Sequence, residues 1–144
     1  MKARVPEFAS AVLERTCEIL ADTHSGLTGS EIGKLLALLG IDDPSPEATK
    51  RVRLFHALSN RQSADRCGNL VVAFIEEAMK PVRHTGSPGW FDEKRHEVNT
   101  ALAFAGYELG ADGKLRVCQP AKTLPQAEER AGRLRAELSN RHYA

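Results

Sequence analysis

Apolar residues return every three or four positions over most of the chain, the spacing that turns one face of a helix inward. Phe8, Val12, Leu13, Cys17, Ile19 and Leu20 predict a first helix from Pro6 to about Asp22. Pro6 suits its first turn, where a missing N–H costs nothing. The Thr23-His24-Ser25-Gly26 stretch breaks the pattern, and Gly26 supplies a stop. Ile32, Leu35, Leu36 and Leu39 predict a second helix. Thr28 and Glu31 stand at its start with the spacing of a capping box, in which each satisfies an otherwise orphaned N–H. Gly40 closes it ahead of the turn-rich Asp42-Asp43-Pro44-Ser45-Pro46.

A third helix is expected from Pro46 to about Gln62, burying Val52, Phe55 and Leu58. A fourth covers roughly Ala64 to Met79, with Leu70, Val71, Phe74, Ile75 and Met79 inside, and Pro81 stops it. The Gly- and Pro-containing stretch from Arg83 to Trp90 reads as a loop. A fifth helix from Pro88 to Phe104 presents Trp90, Phe91, Val98, Leu102 and Phe104. The period then shortens. Tyr107, Leu109, Leu115 and Val117 alternate around Asp112-Gly113, a strong hairpin signal, with strands within about 106–118. Thr123 and Gln126 offer a second capping box, for a last helix over about 124–140 with Leu134 and Leu138 apolar and Glu and Arg outside. The expected fold is mainly α (α+β): one domain over 1–144, a compact bundle of about six helices with one β-hairpin, winged-helix-like.

Charge changes this picture more than composition does. Hydrophobic residues make up 42% and charged residues 27%, ordinary for a globular chain, and the net charge of +1 disfavours a general polyanion coat. Residues 1–47 carry four Lys and Arg against eight Asp and Glu, whereas residues 48–96 carry nine against five. An acidic first third and a basic middle leave room for a local basic face. The three cysteines, Cys17, Cys67 and Cys118, form no CxxC pair and read as free thiols in a reducing compartment. No leader-like apolar run follows the N-terminal charges, and the longest apolar stretch, Leu70–Phe74, is too short for a bilayer. The expected location is the cytoplasm, with no membrane partner.

Lys50, Arg51, Arg53 and Arg61 lie on the third helix, and Arg66, Arg83, His84, Lys94 and Arg95 follow. At about 100° per residue, Lys50, Arg53 and Arg61 share a side. A basic helix among short helices, followed by a hairpin, suits a helix-turn-helix or winged-helix reader of DNA or RNA. Lys50, Arg51, Arg53, Arg61 and Arg83 would then contact phosphates, with Lys114 at the tip of the wing. The alternative is a protein-interaction or oligomerisation module, binding an effector protein or forming a dimer. A third reading comes from Arg51 and His56, and from Arg135 and His142, whose spacing is similar to that of HEPN-type ribonucleases. There His serves as acid or base and Arg stabilises developing phosphorane charge. With arginine and histidine this frequent the spacing also arises from composition alone, so no catalytic residue is assigned. His84, His96, Asp92 and Glu93 could approach one another around the loop, but no spacing fixes a metal geometry. No Gly-rich phosphate loop, GxSxG or HExxH is present, and no cofactor is expected.

The stretches SGLTGSEIGKLL, TKRVRLFHAL, VVAFIEEAMKPVRHTG, VNTALAFAGYELGADGKLRV and AKTLPQAEERAGRLRAEL together resemble the N-terminal region of Ymh-type bacterial hypothetical proteins. That region is similar in turn to the N-terminal domains of AbiJ-like abortive-infection proteins. The resemblance spans the chain from about Leu20 onward. It implies a sensor or adaptor domain of phage defence placed ahead of a helical, HEPN-like effector, whose catalytic residues would lie beyond this chain. It implies no binding residues.

Overall fold

In the computed structural model, which describes the backbone of residues 3–143 and the side chains of residues 3–135, the chain is mainly α-helical with one small hairpin. Among the described residues there are six α-helices: α1 (Ser10–Leu20), α2 (Gly29–Leu38), α3 (Lys50–Asp65), α4 (Asn69–Ala78), α5 (Pro88–Leu102) and α6 (Leu124–Tyr143). The strands β1 (Tyr107–Leu109) and β2 (Leu115–Val117) pair antiparallel, with Leu109 opposite Leu115. Contacts divide the chain into two compact units, Met1–Ala78 and Met79–Ala144.

In the first unit α1 begins at Ser10 rather than Pro6. The preceding residues form other bonds. Phe8 donates its N–H to Gln62 Oε1 at 2.9 Å, and Gln62 Nε2 returns a bond to the Phe8 carbonyl at 3.0 Å. Val5 N–H meets Asn69 Oδ1 at 2.8 Å, and its carbonyl accepts from Gly68. Side-chain amides on α3 and α4 thus pair an extended segment as a neighbouring strand would. Phe8 is buried although it precedes the helix.

The capping box of α2 forms as expected: Thr28 Oγ1 accepts from Glu31 N–H at 3.1 Å, and Glu31 Oε1 accepts from Thr28 N–H at 2.8 Å. Ile32, Leu35 and Leu36 face inward, while Leu39 is only half-buried. α3 starts four residues later than expected and ends at Arg66, whose φ of 56° is left-handed. There Arg4 Nη2 reaches the Arg66 carbonyl at 3.2 Å, satisfying an orphaned acceptor at the helix end. The buried face of α3 is Leu54, Ala57, Leu58 and Gln62. Val52 and Phe55 are therefore not core residues as their spacing suggested: Val52 is 44% exposed and Phe55 half-buried. Leu54 and Ala57 sit about 130° and 170° of helical rotation from the face centred on Val52 and Phe55, and the inward direction follows them instead. Leu13, Leu20, Ile32, Leu36, Leu54, Leu58 and Phe74 are fully buried in this unit.

In the second unit Asn99 on α5 repeats the amide device. Leu109 N–H donates to Asn99 Oδ1 at 2.6 Å, and Asn99 Nδ2 donates to the Leu109 carbonyl at 3.0 Å. Arg95 Nε donates to the same carbonyl at 3.0 Å. The outer edge of β1 is thereby fastened to the helix at Leu109. α5 stops at Leu102, and a 3-10 turn over Ala103–Ala105 leaves Phe104 39% exposed rather than inside. The hairpin turn needs glycine at position 113 twice over. Its φ is 77°, and a Cβ there would lie 2.5 Å from the Met79 carbonyl oxygen. α6 packs on α5, and its buried apolar residues among the described side chains are Ala127 and Ala131, with Ala127 in a cluster with Ala103 and Ala121. Leu134 is half-buried, and Leu138 lies outside the described side chains. Thr123 Oγ1 accepts from Gln126 N–H, while Gln126 Oε1 accepts from Lys122 N–H, one residue ahead of the expected partner.

Replacing Gln62 with Met removes both of its hydrogen bonds to the Phe8 backbone, at about 1–3 kcal/mol for each buried bond lost. We expect Gln62→Met to lower unfolding stability by about 2–4 kcal/mol in a denaturant titration, against near-neutrality for an exposed site. Asp112 gives a pH prediction. The Lys114 N–H first, and the Arg116 guanidinium second, hold its carboxyl below the usual range. Its contribution is therefore present above the ordinary carboxylate pKa and lost as pH falls through the lowered one. Because the side chain is half exposed, the effect is small. The amides of Lys114 and Gly110 should lose hydrogen-exchange protection below about pH 4, and Asp112→Asn should remove that dependence.

Candidate functional site

α3 was expected to carry phosphate-binding cations, and three of its basic side chains reach the flanks of α2. Lys50 Nζ donates to the Leu27 carbonyl at 2.9 Å, just ahead of the helix. Arg53 Nη1 donates to the Gly29 carbonyl at 2.9 Å, in its first turn. Arg61 Nη1 donates to the Gly40 carbonyl at 2.7 Å, beyond its end. Arg61 also pairs along its own helix with Asp65 at 3.0 Å.

Arg53 is the most engaged of the three. Its Nη2 meets Asp43 Oδ2 at 2.7 Å and its Nε meets both Asp43 oxygens, a bidentate pair of planar groups. The hydrogen bonds to Asp43 raise the guanidinium pKa further, against a smaller lowering by burial. The pair is largely screened from water, with side-chain exposures of 13% for Arg53 and 25% for Asp43. A cation over the N-terminal turn of a helix opposes the helix dipole, and Asp43 supplies the compensating charge. Glycine makes the room. A Cβ at Gly33 would lie 2.9 Å from Arg53 Nη2, and one at Gly29 would lie 3.5 Å from Nη1. The Gly29-x-x-x-Gly33 spacing is thus a flat seat for a guanidinium.

Arg51 belongs to the opposite side. It is exposed and forms no hydrogen bond or ion pair among the described residues. With Val52, Phe55 and His56 it lines an open groove of about 290 Å³ whose other wall is Glu14 and Glu18 of α1. His56 shares a 2.9 Å hydrogen bond with Ser45 Oγ through Nδ1, which fixes its ring. Arg51 and His56, the expected ribonuclease-like pair, do line one surface. They do so facing two carboxylates, a poor setting for a phosphodiester. His142, the second such histidine, lies outside the described side chains, and Arg135 pairs with Asp92 at 2.8 Å.

Arg83 and Lys114 fall in the second unit, both exposed: Arg83 on a 3-10 turn (Pro81–His84), Lys114 beside the hairpin turn. The expected recognition helix, α3, belongs to the first unit and the hairpin to the second, where β1 packs on α5. The His84 ring stacks on Trp90 at 4.6 Å, Asp92 is taken by Arg135, and Lys94 and Arg95 are buried. Among the described residues no three His, Cys, Asp or Glu side chains gather as a metal site, and no helix is long and apolar enough to cross a membrane. Cys17, Cys67 and Cys118 are free thiols, and burial pushes Cys17 far above the ordinary thiol range.

The residues that composition and spacing passed over are Asp43, Gln62 and Asn99. Asp43 reads as turn punctuation, yet it is the carboxylate that Arg53 grips. Gln62 and Asn99 carry a visible signal: an amide on the inward i, i+4 row of an apolar helix face.

No family model, no curated protein and no solved structure matches the chain.

A double-mutant cycle separates the two faces of α3. Arg53→Met and Asp43→Asn should each destabilise by about 1.5–3 kcal/mol and together by clearly less than their sum, because each strands the other's hydrogen bonds. Arg51→Ala should stay within about 0.5 kcal/mol of the parent in the same urea titration.

Proposed function

We propose that this chain is a recognition module of a bacterial phage-defence system that acts in the cytoplasm by binding a protein partner, an effector in the sense of the resemblance. One observation carries the choice of a protein over a nucleic acid. Lys50, Arg53 and Arg61 donate to carbonyls and carboxylates of their own unit, so phosphate contacts would have to break those bonds. The opposite side of α3 is amphipathic, with exposed Val52 between charges of both signs. Exposed apolar area of that kind favours protein contact.

An electrophoretic mobility assay at low ionic strength tests the choice directly. Duplex DNA and hairpin RNA should run unretarded at protein concentrations where a genuine binder shifts them. A retarded band that dissolves steeply with added salt, and weakens in Arg51→Ala or Lys114→Ala, would restore the phosphate-binding reading and remove ours.

A further inference from the structure

We propose that the groove between α1 and α3 is the docking site for an amphipathic helix of the partner protein, one that carries apolar anchors with Lys or Arg on one flank and Asp or Glu on the other. The proposal rests on the protein-partner reading and names where and how that partner is held.

Four features of the groove select this occupant. First comes its floor. Val52 lies 44% exposed in the first turn of α3, with half-buried Phe55 one turn further on, so two apolar side chains are offered along one row. Second, the α1 wall is acidic: Glu14 and Glu18 stand one helical turn apart. Among the described residues Glu18 pairs with the exposed Arg15 at 3.6 Å on its own helix, and no ion pair involves Glu14. Third, Arg51 stands on the α3 wall and makes no ion pair, even though carboxylates line the same groove. The two signs of charge therefore flank the apolar row without cancelling each other. A partner helix with basic residues toward α1 and an acidic residue toward Arg51 would neutralise both flanks while its apolar stripe covers Val52 and Phe55. Fourth, the volume of about 290 Å³ lies at the small end for a ligand cavity and is open along one side. It admits a few side chains of a larger partner rather than an enclosed small molecule.

His56 adds a polar contact at the rim. Its Nδ1 is fixed by Ser45, so the ring presents a set edge to an occupant. The acidic wall turns away polyanions, which separates this surface from a nucleic-acid groove.

Selection from a phage-displayed library of helical peptides against the full chain tests the assignment. Enriched peptides should carry apolar residues at i and i+3 or i+4, with Lys or Arg along one flank. Val52→Glu should weaken the enriched peptide by about tenfold or more, the loss expected at a central anchor. Glu14→Lys with Glu18→Lys should reverse the selected flank from basic to acidic. All three positions are exposed or half-exposed, and unchanged thermal unfolding of the variants confirms that they act on binding. Failure to enrich any sequence, or enriched peptides indifferent to Val52→Glu and to the charge reversal, would overturn the groove assignment. Peptides that bind elsewhere on the chain would sink this site while leaving the protein-partner reading standing. Salt-sensitive binding of DNA or RNA, by contrast, is what removes that reading.

Discussion

The first unit turns on a single guanidinium. Arg53 sits between Asp43, from the turn that follows α2, and the Gly29 carbonyl, from the helix's first turn. It therefore ties both ends of the α2 segment to α3. The arrangement imposes constraints in three places at once: glycine where the guanidinium lies, a carboxylate to oppose the helix dipole, and a planar fork that lysine could not imitate. It also settles the meaning of the basic run on α3. Cations bonded to carbonyls of their own fold are fasteners, and the surface proposed to hold a partner lies on the other side of the helix.

The same economy recurs wherever the chain lacks a regular partner. Gln62 pairs with Phe8, Asn69 with Val5, and Asn99 with Leu109, each amide meeting backbone groups of an extended segment. A buried backbone N–H or carbonyl must be bonded, and a two-stranded sheet cannot supply enough partners. Helix-borne amides supply them instead. The cost is specificity of a demanding kind, since each such side chain is close to irreplaceable where it is buried. That explains why Gln62 and Asn99, polar residues on inward rows, belong to the core as firmly as Leu58 or Leu102.

What could be read along the chain divides by distance in sequence. The capping box at Thr28 and Glu31 and the turn at Asp112-Gly113 were legible because their physics is complete within a few residues. The start of α1 was not. Pro6 is a good first-turn residue, but Gln62, 54 positions away, takes the backbone of Phe8 first. The inward face of α3 was misplaced because Val52 and Phe55 compete with Leu54 and Ala57 for the same role, and only the packing of α1 and α2 decides between them. α6 buries Ala127 and Ala131, residues too small to stand out in an apolar pattern. At the candidate site, the shared side of Lys50, Arg53 and Arg61 was visible from helical geometry, but their partners were not. Asp43 is ten residues from Arg53 in a turn, and carbonyl oxygens have no signature in a sequence.

α3 directs Arg53 inward as a fastener and Arg51 outward, where among the described residues it makes no hydrogen bond or ion pair. Nitrogen-15 NMR of the arginine side chains reads this directly, because the Nε–H proton exchanges with water unless it is held in a hydrogen bond. Arg53 should give a persistent, slowly exchanging Nε–H resonance that survives at neutral pH and vanishes in Asp43→Asn, while Arg51 exchanges rapidly. An Arg53 signal that exchanges as fast as that of Arg51 would contradict the claim, and would return α3 to the role of a free basic face.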